Sequence, residues 1–176
     1  IHNGFKSDLC IDQNDEKDDN YSIMKIVDEK LEIAKHKRFG LPLNKGEMLA
    51  LILYTSCDCN YAICRTQRNG DYDTWKWFDH CLYHAIEKLS AIENGSYKVY
   101  SGLANVQMTQ KYEAYGFFST YVSASWIKDV AQTFIEEKGM IFEIDASFRR
   151  KNKCCDVSWI SKFPDECEIL IARSVK

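Results

Sequence analysis

The pattern of apolar residues changes at Asn94-Gly95, and this change constrains the fold more than any other feature of the chain. Before it, apolar side chains recur at helical spacing, as in the stretch 73–91 that runs toward this turn signal. After it, the apolar runs are short and strand-like. These runs are 97–103 (YKVYSGL), 116–122 (GFFSTYV), 140–146 (MIFEIDA) and 167–175 (CEILIARSV). We therefore predict an α+β fold in which a helical N-terminal half packs on a mixed, mainly antiparallel β-sheet.

The helices follow from apolar spacing and capping signals. One helix is predicted to begin at Ile23, where apolar residues start to recur at helical spacing. A second follows Asn44 and Glu47, which have the spacing of a capping box ahead of an apolar run. A further amphipathic helix, predicted over 126–137, interrupts the strands of the second half.

An acidic segment precedes the predicted domain. Residues 1–22 are interpreted as a leader or linker, because the stretch 12–20 (DQNDEKDDN) is acidic and lacks apolar residues. The remaining residues, 23–176, are predicted to form a single domain with a helical region at 23–95 and a sheet-rich catalytic core at 96–176. The chain opens with Ile-His-Asn and no methionine, so we expect a fragment of a longer protein.

Charge and hydropathy argue against two classes of partner. The 176 residues carry a formal net charge of −3, and lysine and arginine are scattered except for KHKR at 35–38. Nucleic acids bind to concentrated positive charge, so no nucleic-acid partner is expected. No apolar run approaches the roughly 18 residues of a membrane helix, so no membrane segment is expected in this sequence.

The eight cysteines are expected to be reduced thiols, because their spacing resembles no disulfide framework of small secreted domains. Reduced thiols favour a cytoplasmic location. Residues 57–64 (CDCNYAIC) lack a second cysteine pair at zinc-finger spacing, and the pair His80 and His84 lacks a third ligand. No metal is therefore expected.

Two glutamates, Glu166 and Glu168, flank one residue near the start of the run 163–170 (FPDECEIL). Residues two apart in a strand point to one face, roughly 6.6 Å apart, whereas Cys167 would point to the other. The apolar residues that follow are typical of a central strand, which places both carboxylates at the edge of a buried region. Such a pair suits a reaction that develops positive charge on a sugar carbon and needs a base. The alternative is a strand start with two solvated glutamates.

Four short motifs, taken in order, resemble those of the mono-ADP-ribosyltransferase family, in its arginine-specific, toxin-like type with an Arg-Ser-Glu triad. They are VYSGL at 99–103, FFST at 117–120, AQTF at 131–134 and FPDECEIL at 163–170. The helical stretches before the first strand also resemble that family, so the resemblance covers about Leu43 to Val175. It rests on the order and spacing of the motifs.

The resemblance implies that NAD+ is the substrate and that a protein arginine accepts ADP-ribose. Glu168 matches the catalytic glutamate, which binds the 2′-hydroxyl of the nicotinamide ribose and stabilises an oxocarbenium-like transition state. Glu166 matches the residue that orients and helps deprotonate the acceptor guanidinium. Ser119 begins the equivalent of the Ser-Thr-Ser motif, whose hydroxyl holds the catalytic glutamate in place.

The resemblance also implies residues that bind NAD+ and the acceptor. Those for NAD+ are Ser101, Gly102, Thr120 and Phe134. Phe134 matches a phenylalanine that packs against nicotinamide, although a core position in the predicted helix explains it equally well. The segment 159–165 resembles a substrate-recognition turn, with Phe163 or Trp159 as its exposed aromatic residue.

Two positions depart from the family pattern. Ser101 stands where the family has an arginine that braces the NAD+ phosphates, and serine has neither the charge nor the forked donors of arginine. Lys98, Lys111 and Arg149 are candidates to replace that charge. Tyr121 stands where the second serine of the Ser-Thr-Ser motif is expected.

Three alternatives to arginine transfer stay open at this point. The first is an NAD+ glycohydrolase, in which water replaces the guanidinium. The second is a catalytically dead interaction module that has lost NAD+ binding with the missing arginine. The third is an α+β domain of unrelated function.

Overall fold

The computed structural model describes residues 19–33, 42–56, 58–91, 98–104, 118–135, 139–146 and 153–174. The helices are α1 Asp19–Glu32, α2 Lys45–Thr55, α3 Asp58–Arg68, α4 Lys76–Ser90 and α5 Lys128–Thr133. The strands are β1 Lys98–Ala104, β2 Val122–Ser125, β3 Gly139–Asp145, β4 Cys154–Asp156 and β5 Glu168–Ile171, with a 3-10 turn at Pro164–Glu166. Four helices precede the first strand in the described residues, and this arrangement confirms the predicted α+β class.

The strands form one sheet in the order β3-β1-β2-β5-β4, and every pairing among the described residues is antiparallel. β1 pairs with β3 from Lys98↔Asp145 to Ala104↔Gly139. Its described register with β2, by contrast, is Tyr100↔Ser125 alone. The two strands therefore separate beyond Tyr100, and the separation leaves space between them in the middle of the sheet.

The main core lies between the helices and one face of the sheet. Its fully buried side chains include Met48, Leu51, Tyr54, Leu82, Ile86, Cys155 and Leu170. A second, smaller cluster on the other face includes Ile169 and Ile171. Strand β5 is thus covered on both faces, as its continuous apolar sequence predicts, and it forms a rigid base for the residues at its start.

The capping box predicted for the second helix is present, because the Asn44 side chain accepts from the Glu47 N–H and the Glu47 carboxylate accepts from the Asn44 N–H. Helix α3 was missed by the apolar pattern, since its buried face is built partly from Cys64 and Gln67. Helix α5 is shorter than the predicted 126–137.

Other boundaries differ as well. Residues 118–121 are irregular and the strand is β2, so the strand predicted over 116–122 is displaced toward the C-terminus. Helix α1 begins at Asp19, inside the predicted leader, and residues 1–18 lie outside the described part of the chain. None of the helices in the described ranges is long and apolar enough to cross a membrane.

Candidate active site

A cavity of about 420 Å³ lies where β1 and β2 separate. Helix α3 lines it with Asn60, Cys64 and Arg68, and α5 lines it with Val130, Ala131 and Phe134. The lining also includes Ser101 and Gly102 from β1, Ser119 to Ser125 before and along β2, and Glu166 and Glu168. Glu166 and Glu168, which were predicted to share one site, therefore both line the space between β1 and β2.

Glu168 is the first residue of β5 and is 8% exposed. Its Oε1 accepts a hydrogen bond of 2.8 Å from the Ser123 hydroxyl, on the neighbouring strand. Loss of hydration raises the pKa of the Glu168 carboxyl above its usual range, although hydrogen bonds from Ser123 and Ser161 oppose the rise and Glu166 adds to it. A buried carboxylate with a fixed donor is the central feature of the cavity.

The serines that hydrogen-bond to the Glu168 carboxyl are Ser123 and Ser161, so the expectation that Ser119 holds this carboxylate is corrected. Ser119 lies in the irregular segment before β2 and also lines the cavity. Ser123 and Ser125 lie two apart on β2 and so share a face. The Ser125 hydroxyl donates to the Glu166 carbonyl at 2.7 Å and accepts from the Ile127 N–H. The sequence signal for both serines is the alternating VSAS of residues 122–125.

The two glutamates reach one cavity by a route other than strand alternation. Glu166 belongs to the 3-10 turn, and Cys167 has a φ of 49°, in the left-handed region, before β5 begins at Glu168. The strand-face argument for this pair was therefore wrong, although both carboxylates line the cavity. Loss of hydration raises the pKa of Glu166.

Ser101 and Gly102 shape the β1 side of the cavity. The Ser101 hydroxyl is buried and donates to the Ser123 carbonyl at 2.9 Å, which ties β1 to β2 beside the Glu168 contact. A Cβ atom added at Gly102 would lie 2.0 Å from the Ala131 carbonyl oxygen. Glycine is therefore required here so that α5 can approach β1.

Thr120 and Phe134 both line the cavity, and their contact with NAD+ stays a prediction. Thr120 is buried, whereas Phe134 is 52% exposed at the C-terminal end of α5. Of the two interpretations of Phe134, the exposure excludes the core position. Its contact with nicotinamide stays a prediction.

The two candidate recognition aromatics have different surroundings. Trp159 packs against the main core, and its Nε1–H donates to the Asp156 carbonyl at 3.0 Å. Phe163 is 39% exposed, immediately before the turn that carries Glu166. Phe163 is thus the exposed aromatic of this segment, and acceptor recognition by it stays a prediction.

The cations predicted from the sequence to supply the charge of the implied arginine do not lie in the described lining of the cavity. Lys98 is exposed and pairs with Glu143 on β3, whereas Lys111 and Arg149 lie outside the described residues. The cation that does line the cavity is Arg68, which the sequence analysis missed along with its helix.

A buried polar network lies beside the cavity. The Asp79 carboxylate accepts from Arg173 at 2.9 and 2.7 Å, from the Tyr121 hydroxyl at 2.8 Å and from the Gln67 amide at 2.8 Å. Tyr121, for which the resemblance implied a serine, therefore anchors the segment that leads into β2. The network joins α3, α4 and the residues flanking β2 and β5.

In the part of the chain that the structure describes, Cys64, Cys81 and Cys167 are free thiols. The His80 and His84 rings lie 4.4 Å apart on α4. Within the same ranges, no three side chains of His, Cys, Asp or Glu are grouped to hold a metal ion.

The chain belongs to the family described as NAD:arginine ADP-ribosyltransferase, whose sequence model matches residues 11–174. This membership confirms the resemblance to the ADP-ribosyltransferase family. Family and fold together define a transferase that uses NAD. A comparison with curated protein sequences found no match.

Solved structures of ADP-ribosyltransferases share the fold. A variant of the eukaryotic mono-ADP-ribosyltransferase ART2.2 in complex with NAD has a TM-score of 0.63 and 20% identity, over 91% of this chain and 78% of that chain. Exoenzyme S from Pseudomonas aeruginosa, in complex with human 14-3-3 protein beta and bound to carba-NAD, has a TM-score of 0.58 and 21% identity, over 85% and 76%. The ADP-ribosyltransferase Vis, in complex with an inhibitor, has a TM-score of 0.61 and 18% identity, over 88% and 75%.

Proposed function

We propose that this protein cleaves NAD+ and transfers ADP-ribose to arginine side chains of an acceptor protein. The observation that carries the proposal is the buried Glu168, held by the Ser123 hydroxyl in the same cavity that Glu166 lines. Further support comes from the family, whose description names arginine, and from related folds solved with NAD or carba-NAD.

Glu168 acts on the donor. Its carboxylate accepts a hydrogen bond from the 2′-hydroxyl of the nicotinamide ribose and stabilises positive charge on that ring as the bond from C1′ to nicotinamide breaks. The bonding electrons leave with nicotinamide. Since the carboxylate must be ionised and burial raises the pKa of Glu168, activity is expected to fall as the pH decreases through that raised pKa.

Glu166 acts on the acceptor. Its carboxylate binds the guanidinium and takes one proton from it, so that a guanidine nitrogen forms the new bond to C1′. Loss of hydration raises the pKa of Glu166, which makes its carboxylate a stronger base than a solvated glutamate. The exposed Phe163 lies next to this turn and is suited to contact the acceptor protein.

Two matched peptides test the proposal, one with a single exposed arginine and one with lysine in its place. Purified protein is incubated with labelled NAD+ and either peptide, while peptide labelling and free nicotinamide are measured together. We expect label on the arginine peptide only. Glu168→Gln keeps the side-chain shape and removes the charge, so both products should fall about 100-fold or more.

Glu166→Ala separates the two steps, since it should reduce arginine labelling more than nicotinamide release. Nicotinamide release without labelled peptide in the wild type would favour the glycohydrolase instead. Absence of both turnover and NAD+ binding would indicate the dead interaction module. A Glu168→Gln variant that labels arginine at the wild-type rate would contradict the catalytic assignment.

A further inference from the structure

We infer that Arg68 binds the diphosphate of NAD+, supplying the positive charge that is missing at position 101; the inference rests on the proposed function. Arg68 is the one lysine or arginine among the described residues that line the cavity. The ionised groups it faces there are the carboxylates of Glu166 and Glu168. A dinucleotide brings two phosphate charges into this space, and without a cation they would meet carboxylates alone.

The position of Arg68 along α3 fits a diphosphate. Asn60, Cys64 and Arg68 follow each other at intervals of four residues and line the cavity from one face of the helix. The Asn60 end is next to the reacting glutamate, because the Asn60 amide contacts the Ser123 hydroxyl at 3.5 Å and that hydroxyl donates to Glu168.

Arg68 lies two turns further along, roughly 12 Å from Asn60 at about 1.5 Å per residue. In NAD+ the diphosphate is separated from the reacting C1′ by one ribose and its 5′-carbon. A long arginine side chain that starts two turns from Asn60, the end of the helix next to Glu168, and lines the cavity is placed to meet the ligand at that distance. The forked guanidinium also suits phosphate oxygens.

The backbone under Arg68 is fixed by the end of the helix. The Gly70 N–H donates to the Gln67 carbonyl and the Asp71 N–H donates to the Thr66 carbonyl, both at 3.0 Å. With Gly70 at a φ of +80°, this is a Schellman cap in which Arg68 is the last helical residue. Gln67, its neighbour, is buried and bound to Asp79. The guanidinium therefore projects from a rigid base.

The charge of Arg68 is also available. In the described part of the chain no carboxylate forms an ion pair with Arg68, whereas Arg173 is engaged by Asp79. Arg65, on the preceding turn of the same helix, is exposed and is not among the residues that line the cavity. The two arginines of α3 thus provide a matched pair, with equal charge on the same helix but only Arg68 in the lining of the cavity.

The test measures equilibrium binding of NAD+, ADP-ribose and nicotinamide riboside to the wild type, Arg68→Ala, Arg68→Lys and Arg65→Ala. Arg68→Ala should weaken NAD+ and ADP-ribose, which contain the diphosphate, by about 10- to 100-fold. Binding of the riboside, which lacks phosphate, should stay within about twofold of wild type, a difference small on the energy scale of a charge-assisted contact. Arg68→Lys should recover part of the affinity, and Arg65→Ala should bind all three ligands as the wild type does.

Each outcome has a distinct meaning. Wild-type protein that binds NAD+, with Arg68→Ala binding it equally well, would overturn the role of Arg68 and leave the proposed function standing. Equal losses for ADP-ribose and the riboside would also overturn it, because the damage would then be unrelated to phosphate. A wild type that binds no NAD+ at all would overturn the proposed function itself. Arg65 and Arg68 are exposed, so their substitution should leave the fold intact, and thermal unfolding of each variant checks this.

Discussion

At the scale of single residues, a serine hydroxyl decides how a buried carboxylate is held. Glu168 loses most of its hydration at the start of β5, and Ser123 donates to it at 2.8 Å. Ser101 in turn donates to the Ser123 carbonyl, so this residue, at the position where the resemblance implies an arginine, ties β1 to this contact. A serine provides this tie through its hydroxyl but supplies none of the positive charge that an arginine would.

Ser123→Ala is expected to lower kcat about 10- to 100-fold, because a hydrogen bond to a charged group contributes about 1.5–3 kcal/mol. Loss of the donor also raises the pKa of Glu168 further, so the acid limb of the pH–rate profile should move to higher pH. Steady-state kinetics at several pH values measure both effects.

Ser119→Ala provides the comparison, since it removes a hydroxyl from the same cavity without removing the donor of Glu168. Its effect on kcat should be smaller than that of Ser123→Ala, with no shift of the acid limb. A larger effect at Ser119 would restore the serine assignment made from the sequence.

Among the secondary-structure elements, the close approach of α5 to β1 fixes one wall of the cavity. The helix is short, and its Ala131 carbonyl lies over Gly102 while Phe134 extends from its end into the lining. Ala131 is buried against the sheet. The position of Phe134 therefore depends on a residue of the neighbouring strand that has no side chain.

Gly102→Ala is expected to destabilise the fold by about 1–3 kcal/mol or more, because the added Cβ would lie 2.0 Å from a backbone oxygen that cannot rotate away. NAD+ binding should weaken as α5 is displaced. Chemical denaturation gives the first effect, and equilibrium binding gives the second.

Gly70→Ala tests a different constraint, because space around Gly70 is open but its φ is +80°. Its cost should be about 1 kcal/mol, from backbone conformation alone. A Gly102→Ala variant as stable as the wild type would show that α5 does not press on β1.

Elements with regular apolar periodicity could be predicted from the sequence, and others could not. The capping box of Asn44 and Glu47, the apolar face of α4 and the run that forms β5 are local signals, and each element lies where it was predicted. Helix α3 was not predicted because its buried face includes the polar residue Gln67. Gln67 is buried through its hydrogen bond to Asp79, a partner that only the tertiary structure supplies. Missing α3 also meant missing Arg68.

The 3-10 turn that carries Glu166 also could not be predicted from local sequence. The sequence placed Glu166 and Glu168 in one site, but it gave a regular strand where the chain forms a 3-10 turn followed by Cys167 at a positive φ. A cysteine rarely adopts this conformation, so its own sequence signal is weak. The conformation depends on neighbours such as Ser125, which binds the Glu166 carbonyl from β2.

At the scale of the whole molecule, the Asp79 network joins the helical layer to the sheet. Asp79 on α4 binds Gln67 on α3, Tyr121 before β2 and Arg173 after β5. Burial alone would raise the pKa of Asp79, but the bonds from Arg173, Tyr121 and Gln67 outweigh it and lower that pKa below its ordinary value. The carboxylate therefore stabilises the folded state while it is ionised.

Asp79→Asn should reduce the free energy of unfolding at pH 7 by about 2–3 kcal/mol. This loss is somewhat smaller than the loss expected when one partner of a fully buried ion pair is removed. Because the folded pKa of Asp79 lies below the unfolded value of about 4, the wild-type advantage is fully present above that value. It is lost as the pH falls through the folded pKa. Denaturant unfolding of both proteins from pH 7 to pH 3 should therefore give a constant difference that shrinks below about pH 4.

The groups that face Asp79 do not change their charge between pH 3 and pH 7, so they do not add to the pH dependence of this difference in stability. Arg173 stays charged throughout, Gln67 does not titrate, and burial raises the pKa of Tyr121 so that it remains neutral. Asp73→Asn removes an exposed carboxylate just before the same helix and should leave stability nearly unchanged. An Asp79→Asn variant whose deficit persists undiminished at pH 3 would mean that the network acts through shape and hydrogen bonding, with its ion pair contributing little to the join between helices and sheet.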